Sequence, residues 1–195
     1  MKELIFVVDP MCSWCWGFHP VMETLRKNHH DQYKFSLVVG GLRSSGQMFW
    51  NDESKAFLKR HWDSVEQRTG QPFSPKLLNR TVFDYNTYPA CKAIVAVREL
   101  WGEELAFNYL SKIQYAFYAE GKDITSLEVL TNYITENKKE FENFYNTERV
   151  EILMKHDFDK ARAMGANAFP SVVQIDEAGH MLCMKGYRTL EEILT

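Results

Sequence analysis

Five consecutive apolar residues, Leu4-Ile-Phe-Val-Val8, run into Asp9-Pro-Met11 and then directly into Cys12-Ser-Trp-Cys15. No other segment limits the fold as strongly. A continuous, β-branched run predicts a strand buried on both faces, which places it mid-sheet. From about Ser13 to Asn28 the pattern Trp16, Val21, Leu25 predicts a helix, with Lys27, His29 and His30 suited to its C-terminal end and Pro20 expected to kink it. Tyr33 to Val39 alternates Tyr33, Phe35 and Leu37 with Lys34 and Ser36, which predicts a second strand ending at Gly40-Gly41. The opening is therefore strand, helix, strand, with two cysteines at the first strand-to-helix junction.

Strand signals then disappear between Leu42 and Asn146, where helical patterns are punctuated by Pro72, Pro75 and Pro89. Pro89 can open a helix running to about Leu100, because proline at the first helical position lacks only an N–H that has no partner there. Thr125-Ser-Leu-Glu128 has the form of a capping box and predicts a helix to about Lys139. Thr147 is expected to cap another reaching about Met164, stopped by Gly165. Ser171 to Ile175 reads as a strand, Glu177-Ala-Gly179 as a hairpin turn, His180 to Met184 as the partner strand, and Thr189-Leu-Glu-Glu192 as the cap of a terminal helix. At 195 residues this suits one α/β domain, built from 1–41 plus 147–195, interrupted by a helical insertion over 42–146.

Composition narrows the function classes. Lys and Arg number 23 against 26 acids, a net charge of -3, so there is no global positive field for nucleic acid or an anionic membrane. No apolar run is longer than the five residues of Leu4–Val8, far short of the ~20 needed to span a bilayer and too short for a secretory signal, so a cytoplasmic protein is expected. Four cysteines are too few for a disulfide scaffold, and in a reducing compartment a close pair reads as catalytic or metal-binding. A structural zinc site needs four ligands, and no second Cys-x-x-Cys or Cys/His knuckle accompanies the first; His29-His30 has no partner at ligand spacing. Gly40-Gly41 lacks the context of a phosphate loop. Neither a metal nor another bound cofactor is expected.

Redox chemistry follows from the placement of the pair. A helix N-terminus carries partial positive charge and unpaired N–H groups, so the Cys12 thiolate is expected to be stabilised below the free thiol value of about 8.5 and to act as the nucleophile. Cys15, one turn deeper, is then the thiol that resolves a mixed disulfide. Asp9, three residues before Cys12, either accepts the Cys15 proton or fixes the Asp-Pro turn. His19 shares the Cys15 helix face and reads first as a core histidine, with stabilisation of a thiolate as the functional alternative. Trp14 is expected to be exposed as part of an apolar rim for substrate, whereas Trp16 packs. Cys91 and Cys183, on a predicted helix and strand, read as small buried hydrophobes outside the mechanism.

Asp9-Pro-Met-Cys-Ser-Trp-Cys-Trp-Gly17, Asn86-Thr-Tyr-Pro-Ala90, Asp123-Ile-Thr125 and Gly165-Ala-Asn-Ala-Phe-Pro-Ser171 together resemble the thioredoxin superfamily, and within it the DsbA-like proteins of the cytoplasmic branch that includes FrnE and the 2-hydroxychromene-2-carboxylate isomerases. The resemblance implies a thioredoxin-like fold with a large all-helical insertion. It also implies that Pro170 is the cis-proline whose loop faces the cysteines, and that the Phe169 backbone pairs with an extended substrate segment. DsbA proper carries histidine where this chain has Trp14, so a milder oxidant or a reductant is implied.

Three functions are compatible with this reading. The first is a thiol-disulfide oxidoreductase, protein-disulfide isomerase-like, acting on a thiol- or disulfide-containing protein or on glutathione. The second is a glutathione-dependent isomerase or transferase acting on a small electrophile; the third is a chaperone-like binding module.

Overall fold

The computed structural model describes residues 1–44 and 48–195. Its four-stranded sheet has the order β2-β1-β3-β4, formed by β1 (Lys2–Val8), β2 (Tyr33–Val39), β3 (Ser171–Ile175) and β4 (Met181–Lys185). β1 lies between a parallel β2 and an antiparallel β3, and β4 pairs antiparallel with β3. The apolar run thus occupies the sheet interior, and its alternate residues divide between two cores. Leu4, Phe6 and Val8 join the larger core with α1 (Ser13–Asn28), while Ile5 and Val7 meet Ala161 of α7 (Glu148–Ala163) and Met164 at its C-cap on the opposite face.

The helices α2 (Asp52–Thr69), α3 (Tyr88–Trp101), α4 (Glu103–Tyr118), α5 (Leu127–Asn132) and α6 (Lys138–Tyr145) fall within 42–146, and α8 (Leu190–Leu194) ends the chain. Their apolar residues share the larger core with α1 and β1, so sheet and helices form one packed body. α1 and α2 approach closely at Gly17, where a Cβ would stand 2.6 Å from the Val65 side chain. α1 runs unbroken through Pro20. Proline has no N–H for the carbonyl four residues earlier, and Gln71 Nε2 donates to that Trp16 carbonyl at 3.0 Å instead.

The outer edge of β2 is closed by side chains instead of another strand. Leu37 N donates to Glu103 and Val39 N to Asp157, each at 3.0 Å, while Arg98 donates to the Leu37 carbonyl. Arg98 and Asp157 are themselves paired through two hydrogen bonds of 2.8 and 2.9 Å. These contacts tie α3, α4 and α7 to the sheet and occupy that edge at Leu37 and Val39.

Two local expectations are corrected. The helix expected from Thr125 to Lys139 is two helices, because Thr125 N and Oγ1 both donate to Asp123 Oδ1 in a turn, leaving Ser126 as the first N-cap. Asn137 then opens α6 by accepting from Glu140 N. β4 begins at Met181, not His180, because the Asp176 carboxylate takes both the His180 N–H and its Nδ1. At the chain end Thr189 and Glu192 do form the reciprocal capping box.

Candidate active site

The end of β1 delivers the chain to the site through a turn built by Asp9. Its Oδ1 accepts from Met11 N at 2.9 Å and its carbonyl accepts from Cys12 N at 3.1 Å. The buried Tyr85 hydroxyl donates to the Met11 carbonyl at 2.8 Å, clamping the turn from the helical segment. Cys12 then serves as N-cap of α1 with extended backbone, placing its side chain beside the unpaired N–H groups of the first turn. All four cysteines are free thiols.

Cys12 and Cys15 occupy different environments. Cys12 lines an open cleft of about 220 Å³ and donates its S–H to the Phe169 carbonyl at 3.4 Å. Cys15 is sealed beneath it, at 2% exposure, and its sulfur accepts from Asp9 N at 3.5 Å. Burial pushes the Cys15 thiol well above the ordinary thiol range, and the neighbouring Cys12 raises it further; the Asp9 N–H opposes the shift. Cys12 is itself largely buried, at 7% exposure, but it is the thiol that lines the cleft and so the one a partner can reach.

Phe169-Pro170 forms the opposite wall, and the peptide bond between them is cis. The turn is held by Gly186 N, which donates to the Pro170 carbonyl at 2.8 Å, and by Ser171 Oγ, which donates to Ala168 O at 2.6 Å. Trp14 is half-buried, in contrast to the expectation of an exposed rim, because its ring lies 5.8 Å from Tyr187, centroid to centroid. With Arg68, Phe169 and Tyr187 it lines a second cleft of about 400 Å³. Trp16 packs inward, its Nε1 donating to the Pro72 carbonyl.

Asp9 meets Cys15 through its backbone. Its fully buried carboxylate is directed toward Met11 N, Leu42 N and the Cys91 thiol, the last two on Oδ2 at 2.7 and 3.6 Å. Burial raises the Asp9 pKa above the usual carboxylate value, with these donors and Thr87 pulling in the opposite direction. His19 is not brought to the thiols: its ring stacks on Trp16 at 5.8 Å, and its buried Nδ1 has no hydrogen-bond partner among the described residues. Burial lowers its pKa, so the charged imidazole that would stabilise a thiolate is the disfavoured form.

Several site residues come from positions without a local motif. Arg43, Phe57, His61 and Tyr85 line the Cys12 cleft, and Arg68 and Tyr187 line its neighbour. The seven-residue spacing of His61 and Arg68 places them on one face of α2, but that periodicity is shared by any helix face. Cys91 enters the site as a donor to Asp9, beyond the role of a small hydrophobe, while Cys183 is half-buried on β4. No group of three or more metal-ligating side chains occurs among the described residues, and no described helix is long and apolar enough to cross a membrane.

Comparison with known proteins places this geometry in a lineage. A candidate protein disulfide isomerase from Nitrosomonas europaea superposes with a TM-score of 0.86 at 29% identity, over 97% of this chain and 92% of that one. The cytosolic disulfide reductase DsbM from Pseudomonas aeruginosa superposes with a TM-score of 0.78 at 23% identity, over 94% and 89% of the two chains. The ClpXP adapter protein SpxH of Halalkalibacterium halodurans is 20% identical over 188 residues, and the chain spans 61% of that relative's length. A family model described as thioredoxin matches residues 5–194. The chain belongs to the thioredoxin family, with the DsbA-like arrangement of a thioredoxin fold and added helices.

Proposed function

We propose that the protein is a cytoplasmic thiol-disulfide oxidoreductase, protein-disulfide isomerase-like, working through the Cys12–Cys15 dithiol. The observation that carries this reading is the asymmetry of the pair: Cys12 opens to a cleft and faces the Phe169 carbonyl, while Cys15 is sealed one turn below. Cys12 thiolate attacks a substrate disulfide, forming one S–S bond and releasing one substrate thiolate. Cys15 then loses its proton and attacks the Cys12 sulfur, forming the internal disulfide and releasing the second thiolate. The Phe169-Pro170 turn offers main chain to an extended substrate segment, a short strand addition that reads backbone more than side chains. No bound cofactor is required by these steps.

Glutathione is proposed as the small redox partner. Arg43 and His61 line the Cys12 cleft and Arg68 the adjacent one, and no carboxylate lines either among the described residues, which suits an anionic thiol. DsbM has also been solved with GSH. A glutathione redox titration read by mass spectrometry tests the reading. Cys12 and Cys15 are expected to interconvert as a disulfide, Cys12→Ser to abolish exchange, and Cys15→Ser to accumulate mixed disulfides on Cys12. Exchange surviving in Cys12→Ser, or thiols that stay inert throughout, would sink it. The midpoint, set against a cytosolic poise of about -220 to -320 mV, decides between reductant and oxidant.

A further inference from the structure

The two outer edges of the sheet differ. Along β2, the side chains of Glu103, Asp157 and Arg98 occupy groups of Leu37 and Val39. The outer side of β4 has no such cover. Two bonds flank its ladder with β3, from Gly186 N to the Pro170 carbonyl at 2.8 Å and from Asp176 N to the His180 carbonyl at 3.0 Å, and they fix the phase of the pairing. Hydrogen-bonded pairs alternate along an antiparallel ladder, so Leu182 and Met184 bond toward β3, while the N–H and C=O groups of Met181, Cys183 and Lys185 point outward. None of these outward groups has a partner among the described residues. The strand also exposes apolar side chains, Met181 at 50% and Leu182 at 58%. Such a row is a template for another strand, and of the charges and prolines that ordinarily blunt an edge β4 carries a single lysine.

We propose that β4 is the surface through which two copies of this chain associate: the two strands pair antiparallel about a two-fold axis at Cys183 and join two four-stranded sheets into one. This register satisfies every outward group of the strand. Cys183 faces Cys183 of the second copy and Met181 faces Lys185, each pair exchanging both of its bonds. An axis at Leu182 or at Met184 would instead leave Lys185 or Met181 without an outward partner in the strand. On the face opposite α7, Leu182 stands across from Met184, so each copy covers the other's exposed leucine. Charge favours the same antiparallel order. The Met181 end adjoins the hairpin carboxylates Asp176 and Glu177, the latter paired with the exposed amino terminus, whereas the other end carries Lys185 and Arg188. Each basic end therefore meets an acidic one. Positions 186 and 180 also fall opposite one another, so the second copy's hairpin reaches the rim of the cleft that Trp14, Phe169 and Gly186 line.

Sedimentation velocity of the full chain under reducing conditions, comparing the parent with Leu182→Lys and Cys183→Pro across concentration, tests the proposal. The parent is expected to be dimeric by about 200 µM, and Leu182→Lys to weaken association about tenfold by setting a charge against Met184. Cys183→Pro removes an outward N–H and no bond to β3, so it is expected to abolish the dimer, with circular dichroism confirming that the fold is kept. The register is read by diamide oxidation of the Cys12→Ser/Cys15→Ser chain, in which Cys91 is sealed and Cys183 keeps exposed surface. Facing Cα atoms in a hydrogen-bonded pair stand about 5.5 Å apart, within disulfide reach, so a dimer linked through Cys183 is expected from peptide mass mapping. A parent that stays monomeric overturns the proposal, even if the edge takes up another protein's strand. A dimer equally tight in both variants overturns it as well, and a dimer without the Cys183 link overturns the register.

Discussion

At the scale of single residues, burial separates chemically similar groups. Cys12 and Cys15 are three positions apart, yet one faces a cleft and the other lies at 2% exposure, with its thiol pushed up by desolvation. His19 shows the same effect in a base. Its folded-state pKa lies below the ordinary imidazole value of about 6.5, so folding favours the neutral ring. The stability this contributes is present above the unfolded-state value and is lost as pH falls toward the folded-state value. The stability of the parent to urea is therefore expected to fall between pH 7.5 and pH 5, and His19→Gln to flatten that slope; identical slopes would show that another group carries the loss. The sequence indicated which residue types stood near the thiols. It did not indicate their protonation, because desolvation depends on atoms contributed by distant segments.

At the scale of elements, the ends of strands and helices carry the site. β1 ends at the Asp9 turn, α1 begins at Cys12, and β2 ends beside the loop that carries Phe169. Gly40 makes that last approach possible, since a Cβ there would fall 2.0 Å from the Phe169 ring. Its backbone dihedral is not in the left-handed region, so alanine would meet a steric obstacle only. Gly40→Ala is expected to cost about 1–3 kcal/mol by overpacking and to slow thiol exchange several-fold by displacing the ring from the cleft wall. Stopped-flow exchange and denaturant unfolding measure the two effects; an unchanged exchange rate would remove Phe169 from the working surface. The strand, helix, strand opening, the terminal capping box and the limits of β3 were legible from periodicity and caps. The division of α5 from α6 was not, because Asp123 competed for the Thr125 groups that the capping pattern had assigned to the helix.

At the scale of the whole molecule, the clefts beside Cys12 are assembled from segments far apart in the chain. Met11 and Trp14 follow β1, Arg43 follows β2, His61 and Arg68 belong to α2, and Phe169 precedes β3. Their shared positive character is a property of the assembly. Replacing Arg43 and Arg68 together with alanine is expected to raise the glutathione concentration needed for half-maximal exchange by roughly tenfold at low salt, with the difference shrinking as salt screens the charges. Saturation curves at two ionic strengths check this, and an unaltered half-saturation would exclude both cations from glutathione binding.

The sequence by itself determined the strand buried on two faces, the Cys12–Cys15 spacing at a helix start and the return to a hairpin near the C-terminus, because all three depend on neighbours within a few residues. Tertiary structure alone decided which thiol is sealed, that Trp14 rests on Tyr187, that His19 turns to Trp16, and that Cys91 donates to Asp9. Those outcomes depend on packing between segments up to 173 residues apart, from Trp14 to Tyr187, where contact is a matter of shape and desolvation rather than of local periodicity.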